Sequence, residues 1–230
     1  QFARLRVDHD RRAGHERRES RAVARRRLTP EGRQGPSPVY NHAMNGVTGI
    51  VLAGGQGRRM GGVDKGLQLL HGKPMVAAVL ARLAPQVDEI LINANQNLEA
   101  YARFGCRVVP DTVGGFAGPL AGLHAGMSEA SHPLVLTVPC DSPFLPLDLF
   151  SRLEKELKQN DLAVARTGDQ PHPVFALVRT TVKKNLEDCL SRGGRKIDAW
   201  YGSLKVIEIP FDDEADAFRN INTREELDSA

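Results

Sequence analysis

The chain has 230 residues, enough for one large domain or two small ones. Hydrophobic residues make up 41% and charged residues 26%, an ordinary balance for a soluble globular protein. No run of about 18 apolar residues exists, which excludes a membrane-spanning helix. The three cysteines, Cys106, Cys140 and Cys189, are widely spaced and include no CxxC pair. That excludes a disulfide framework or a paired-cysteine zinc site and leads us to expect a reducing, cytoplasmic setting.

The net charge of +3 is unevenly spread. Residues 1–43 hold eleven arginines, no lysine and five acids, a local charge of +6, while the remaining 187 residues hold 20 basic and 23 acidic residues, or −3. This leader lacks apolar periodicity and ends in the Gly/Pro-rich stretch GRQGPSPVY. Such a segment buries too little surface to offset its ordering entropy, so residues 1–43 are expected to be a disordered Arg-rich extension. Met44 stands just before the first apolar run, which fits that reading, and Gln1 as first residue reads as a fragment or processed product. An arginine run also suits nucleic acid or an anionic surface; salt-sensitive binding lost on deleting 1–43 would identify that role, and nucleic acid is not the expected partner.

From Gly46 the pattern becomes that of alternating strands and helices. GVTGIVLAG is an apolar run feeding a glycine loop, as for a buried strand. Pro74 opens a helix through Leu83, with Met75, Val76, Val79, Leu80 and Leu83 on one stripe. EILINAN and CRVVPD read as the second and third strands, Gly118–Ala130 as a helix of small residues, and the wholly apolar PLVLTVPCD as a central fourth strand. LPLDLFSRLEKELKQN is an amphipathic helix, DLAVAR and PVFALV are strands, and helices are expected over Val178–Ser191 and Arg195–Trp200. LKVIEI is a late strand, and Thr223-Arg-Glu-Glu226 is a capping box opening a terminal helix. The alternation predicts one α/β domain over 46–230, a Rossmann-like three-layer domain with a mostly parallel central sheet. Ligands of such sheets bind at the carboxyl ends of the strands. Three polar clusters fall there: the loop after Leu52, the asparagines after Ile92, and Asp141 after Pro139.

The loop LAGGQGRRMGGVDKG combines Gly54, Gly55, Gly57, Gly61, Gly62 and Gly66 with Arg58, Arg59 and Lys65. Glycines let a backbone approach an anion and turn N–H groups toward it, and the cations neutralise phosphate. The loop is not a Walker A sequence, because Gly66 rather than Ser or Thr follows Lys65. Nor is it the dinucleotide fingerprint, because Met60 stands where the third glycine belongs.

LAGGQGRRMGGVDKGL followed by LHGKPM resembles the nucleotidyltransferases, and within them the molybdenum cofactor guanylyltransferase (MobA) family. The resemblance continues in order through NANQN (93–97), PD (110–111), GPLAGL (118–123), PCDSPF (139–144), HPVFAL (172–177) and NINTREEL (220–227). It spans 46–230 and none of 1–43.

The resemblance implies transfer of GMP from GTP to molybdopterin, with release of pyrophosphate and formation of the guanine dinucleotide cofactor. Such chemistry rests on alignment and charge stabilisation and needs no protein nucleophile. It implies GTP-binding positions at Leu52, Ala53, Gly54, Gly55, Lys65, Asn93, Asp111 and Asp141. Arg59, Lys65 and Asp141 are the catalytic candidates, Asp141 holding Mg²⁺. Backbone groups at 52–54 and the Asn93 amide are candidates for reading guanine. Gly118, Gly122, His172, Asn220 and Asn222 are the acceptor-side candidates. Asp111 also reads as a turn residue, His172 as a structural histidine, and Asn220 and Asn222 as groups ordering the turn before Thr223. Lys73 reads as a surface residue at the helix start, and Cys140 as a packing residue without a partner base. The implied partners are GTP, molybdopterin and cofactor-handling proteins or molybdoenzymes, with no membrane. The rival readings are a pterin cytidylyltransferase, a sugar-phosphate nucleotidyltransferase, or a nucleotide- or pterin-binding module without turnover.

Overall fold

The computed structural model describes residues 46–55, 63–112 and 118–229. The expected disordered leader and the loop residues Arg58 and Arg59 lie outside the described residues. In chain order the strands are β1 (Val47–Leu52), β2 (Leu69–Leu70), β3 (Lys73–Pro74), β4 (Glu89–Asn93), β5 (Arg107–Val109), β6 (Leu134–Pro139), β7 (Leu162–Thr167), β8 (Gln170–Arg179) and β9 (Val206–Pro210). The helices are α1 (Met75–Leu83), α2 (Leu98–Ala102), α3 (Pro119–Glu129), α4 (Leu149–Leu157), α5 (Lys183–Ser191), α6 (Ile197–Tyr201) and α7 (Arg224–Ser229).

Seven strands form one sheet in the order β5-β4-β1-β6-β8-β7-β9, and β2 and β3 form a separate two-stranded hairpin. Strands β5, β4, β1 and β6 run parallel, and β7 is parallel to β9. Only β8 opposes its neighbours in this sheet. The period-2 alternation of the strands sorts their side chains onto two faces. Val47, Val51, Ile92, Leu136, Val138 and Leu177 pack on one face with Val76, Val79 and Leu83 of α1 and Leu149, Leu153 and Leu157 of α4. Ile50, Leu91, Val135, Val164 and Ala176 pack on the other with Leu120 and Leu123 of α3, Leu186 and Leu190 of α5 and Trp200 of α6. The molecule is thus the three-layer α/β arrangement with a mostly parallel sheet that the sequence predicts.

Local boundaries move where tertiary contacts outweigh local preference. Val178 and Arg179 belong to β8, not to a helix: Val178 is fully buried and pairs with both Val135 and Leu162. A 3-10 turn over Thr180–Val182 then leads into α5. Helix α4 begins at Leu149 rather than in the Leu-Pro-Leu stretch. There Arg82 Nε donates to Leu145 O (2.6 Å) and Gln86 Nε2 to Pro146 O (2.9 Å), while Gln86 Oε1 accepts from Phe150 N (3.0 Å). The buried Gln86 therefore satisfies one of the first amides of α4 from a different helix segment. The capping box forms as expected: Glu226 N donates to Thr223 Oγ1 and Thr223 N to Glu226 Oε2, both at 3.1 Å.

Helix α3 approaches β1 closely at Gly126, where an added Cβ would lie 2.3 Å from Ile50 Cδ1 and 3.0 Å from Ile50 Cγ1 and Cγ2. Alanine improves helix propensity by about 1 kcal/mol over glycine, but overpacking against a fully buried side chain costs about 1–3 kcal/mol. Gly126→Ala is therefore expected to lower stability in urea unfolding, and Ile50→Val in the same chain to recover part of the loss by removing the methyl group it meets.

Candidate active site

The carboxyl ends of β4, β1 and β6 finish level with one another. Leu52 is in register with Asn93 on one side and Pro139 on the other. Beyond the strands the backbone stays tied: Ala53 N donates to Asn93 O (2.8 Å), Cys140 N to Leu52 O (3.1 Å) and Ala94 N to Val109 O (3.2 Å). The three polar clusters found in the sequence therefore meet along a single rim.

Lys65 stands in a 3-10 turn, Lys65–Leu67, just after the glycine loop. Its ammonium group donates to Asp141 Oδ2 at 3.1 Å and to Asn222 Oδ1 at 2.5 Å. Both members of the Lys65–Asp141 pair are mostly buried, at 23% and 11% side-chain exposure, which screens them less than a surface pair. The terminal motif is fixed to the loop after β6 by Ile221 N donating to Asp141 O (2.9 Å) and Ser142 Oγ to Asn220 Oδ1 (2.5 Å). Asn220 and Asn222 thus order this corner around Asp141 and Lys65.

Asn93, Asn95 and Asp111 form a second cluster. Asn93 Nδ2 donates to Val109 O (3.1 Å) and to Asp111 Oδ1 (2.8 Å), and Asn95 Nδ2 donates to Asp111 Oδ2 (2.9 Å). Asp111 N in turn donates to Asn95 Oδ1 (2.8 Å). Both donors of the Asn93 amide are engaged, so its carbonyl oxygen is the group directed elsewhere. A Cβ on Gly54 would lie 3.0 Å from that oxygen, and one on Gly122 would lie 2.2 Å from it. Gly122 is the point where α3 closes on Asn93. Gly54 needs its missing side chain for the same reason, whereas Gly55 is exposed with nothing within 4 Å of an added Cβ.

Gly118 precedes α3 with φ +71° and ψ −159°, a conformation that glycine adopts and other residues rarely do. Its neighbour is Arg195 O, 3.4 Å from an added Cβ. His172 enters a different set of contacts. It stacks on Phe218 (4.6 Å between centroids, 14° between planes), meets Phe175 edge-on and bonds Thr167 Oγ1 through Nε2 at 2.7 Å. Burial lowers its pKa, favouring the neutral ring. Lys73 is exposed, as expected.

The sequence reasoning passed over Asp64 and Tyr101. Tyr101 is fully buried in α2 and its hydroxyl donates to Asp64 Oδ1 at 2.5 Å; Asn97 Nδ2 donates to Asp64 Oδ2 at 3.1 Å. The usable signal was the acid immediately before Lys65 in VDKG. Cys140 is buried, and burial pushes its thiol far above the ordinary range, with Asp141 and Asp64 adding to the shift. At pH 8 iodoacetamide is expected to leave Cys140 unmodified in the folded protein and to alkylate it after denaturation, as read by peptide mass spectrometry. A rapid native reaction at Cys140 would contradict this assignment.

Residues 49–205 match the family model of the MobA-like NTP transferase domain. The chain is 50% identical over 192 residues to the molybdenum cofactor guanylyltransferase of Cupriavidus necator, covering 80% of this chain and 96% of that protein. It is also 50% identical to the molybdenum cofactor guanylyltransferase of Ralstonia nicotianae, covering 79% of this chain and 94% of that protein. Among solved structures, molybdopterin-guanine dinucleotide biosynthesis protein A from Archaeoglobus fulgidus superposes with a TM-score of 0.66 at 27% identity, covering 79% of this chain and 95% of that chain. The family match and these relatives define a nucleotidyltransferase. The chain belongs to the MobA-like NTP transferase family, an enzyme family, as the sequence resemblance implied.

Proposed function

We propose that this protein transfers GMP from GTP to molybdopterin, releasing pyrophosphate and forming the molybdopterin guanine dinucleotide cofactor. The observation that carries the reading is the meeting of Lys65, Asp141 and Asn222 at the rim where β1, β4 and β6 end. The names of the half-identical relatives support transfer of a guanylyl group in molybdenum cofactor chemistry, and the name of the Archaeoglobus fulgidus protein supports molybdopterin.

The chain's own groups suit the task. Lys65 is a fixed cation for the triphosphate, and the backbone at Leu52, Ala53, Gly54 and Gly55 edges the space where a base would lie. Asp111 holds Asn93 and Asn95, which keeps the buried Asn93 amide against Gly54 and Gly122, beside the backbone that would meet a guanine. Asn220 joins the segment implied to face the acceptor to the segment that carries Asp141, and Asn222 joins it to Lys65.

A divalent ion fits this donor set. Asp141 offers one carboxylate at the rim, and Mg²⁺ is an ion that one or two protein carboxylates would hold, with phosphate and water completing the octahedron. When bound, the ion supplies charge neutralisation for the phosphates. Arg59, outside the described residues, remains a candidate second cation.

We place the activity in the cytoplasm, because Cys106, Cys140 and Cys189 are all free thiols. No helix among the described residues is long and apolar enough to cross a membrane. Cofactor-handling proteins or molybdoenzymes would receive the product.

The test is incubation with Mg²⁺, molybdopterin and each of four nucleoside triphosphates, read as pyrophosphate release. GTP is expected to support turnover, and a preference for CTP would overturn the guanylyl assignment. Asp141→Ala is expected to reduce turnover by about 100-fold or more while retaining the native circular dichroism spectrum. Full activity in that variant would remove Asp141 from the reaction.

A further inference from the structure

We infer that the Asp64–Tyr101 pair is a brace that fixes where Lys65 presents its ammonium group, making Asp64 and Tyr101 positioning residues for nucleotidyl transfer. The inference rests on the reading of Lys65 as the cation that meets the triphosphate.

Lysine carries its charge on a flexible four-carbon stem, so its ammonium group is placed only as well as its backbone and partners are placed. Here the backbone is held residue by residue. Asp64 occupies the position before the 3-10 turn but makes no side-chain cap to it. Its carboxylate instead reaches α2, accepting from the Tyr101 hydroxyl (2.5 Å) and from Asn97 Nδ2 (3.1 Å). Its carbonyl accepts from Gln68 Nε2 at 3.1 Å, and the carbonyl of Lys65 accepts from Gln68 N at 3.1 Å. On the other side of Lys65, a Cβ at Gly66 would lie 2.5 Å from the Tyr101 hydroxyl and 3.2 Å from Cys140 Cβ. The same phenol therefore supports the residues before and after Lys65.

The partner element α2 packs against β5. Helix α2 has only five residues. Asn97 opens it in a left-handed conformation (φ 52°), its carbonyl accepting from Ala100 N and Tyr101 N, which leaves the side chain for Asp64. Burial and the nearby Asp64 carboxylate push the Tyr101 phenol well above its ordinary range, so it stays a donor. Tyr101 also belongs to the core face that includes Cys140, and both lie against Gly66. The brace thus runs from the sheet core through one hydroxyl to the residue preceding Lys65. The far end of the Lys65 side chain is then secured by Asp141 and Asn222.

A double-mutant cycle separates positioning from general support. Tyr101→Phe removes one oxygen and keeps the ring. It is expected to lower kcat/KM for GTP by about tenfold, with most of the loss in KM, and to lower it less than about twofold in a Lys65→Ala background. A support role without positioning would instead give the same fold-loss in both backgrounds, and that result, or no loss in wild type, overturns the inference. Asp64→Asn keeps an acceptor for the hydroxyl and is expected to fall between wild type and Asp64→Ala. Hydrogen exchange gives a readout that needs no turnover. Amides of residues 64–68 are expected to exchange faster in Tyr101→Phe and Asp64→Ala while those of β1 do not change. Unchanged exchange at 64–68 overturns the brace. Wild-type protein that turns over no GTP overturns the substrate reading, and the exchange comparison then decides the brace by itself.

Discussion

The arrangement of the rim depends on one ammonium group. Lys65 bonds Asp141, 76 residues away in sequence, and Asn222, 157 residues away. Three segments with no local reason to meet are thereby held at one corner: the end of the glycine loop, the turn after β6 and the turn before α7. Removing either charge would leave the other partly buried without its counterpart, a costly state in a low-dielectric site. The corner therefore forms as a unit.

Around that corner the polar groups are held by other polar groups rather than left to solvent. Asp111 fixes Asn93 and Asn95, Asn220 fixes Ser142, and Asp64 is held from α2. The loop that carries Asp141 is supported further along by Arg82 and the buried Gln86. This is the structural requirement for charge stabilisation in transfer chemistry, because groups already in place need no reorganisation as charge develops. The glycines at Gly54 and Gly122 serve the same end by allowing close approach to Asn93.

Much of this was legible in the sequence for a physical reason. A parallel sheet buried on both faces writes its strands as short apolar runs, and VTGIVL and LVLTVP are such runs. Because parallel strands end on one edge, the residues after Leu52, Ile92 and Pro139 had to converge. The loop cations and the strand-end carboxylate were visible as types suited to that edge, and the family resemblance singled out Lys65 and Asp141 among them. What sequence could not display is the partner of each polar side chain. Nothing in NINTREEL announces that Asn222 accepts a hydrogen bond from Lys65, or that Asn93 donates both of its amide N–H groups, to Val109 and Asp111. Tyr101 carries no sequence signal, because only its hydroxyl, not its ring, does the unusual thing. Val178 and Arg179 read as helix because pairing with Val135 and Leu134 is a long-range fact.

In the proposed function this corner receives a nucleoside triphosphate at Lys65 and Asp141. A crystal structure of the protein with Mg²⁺ and a non-hydrolysable GTP analogue tests it most directly. Lys65 Nζ is expected within hydrogen-bond distance of a phosphate oxygen, the ion on the Asp141 carboxylate and the base beside Gly54 and Asn93. Nucleotide bound elsewhere, with Lys65 still paired to Asp141 and Asn222, would contradict it.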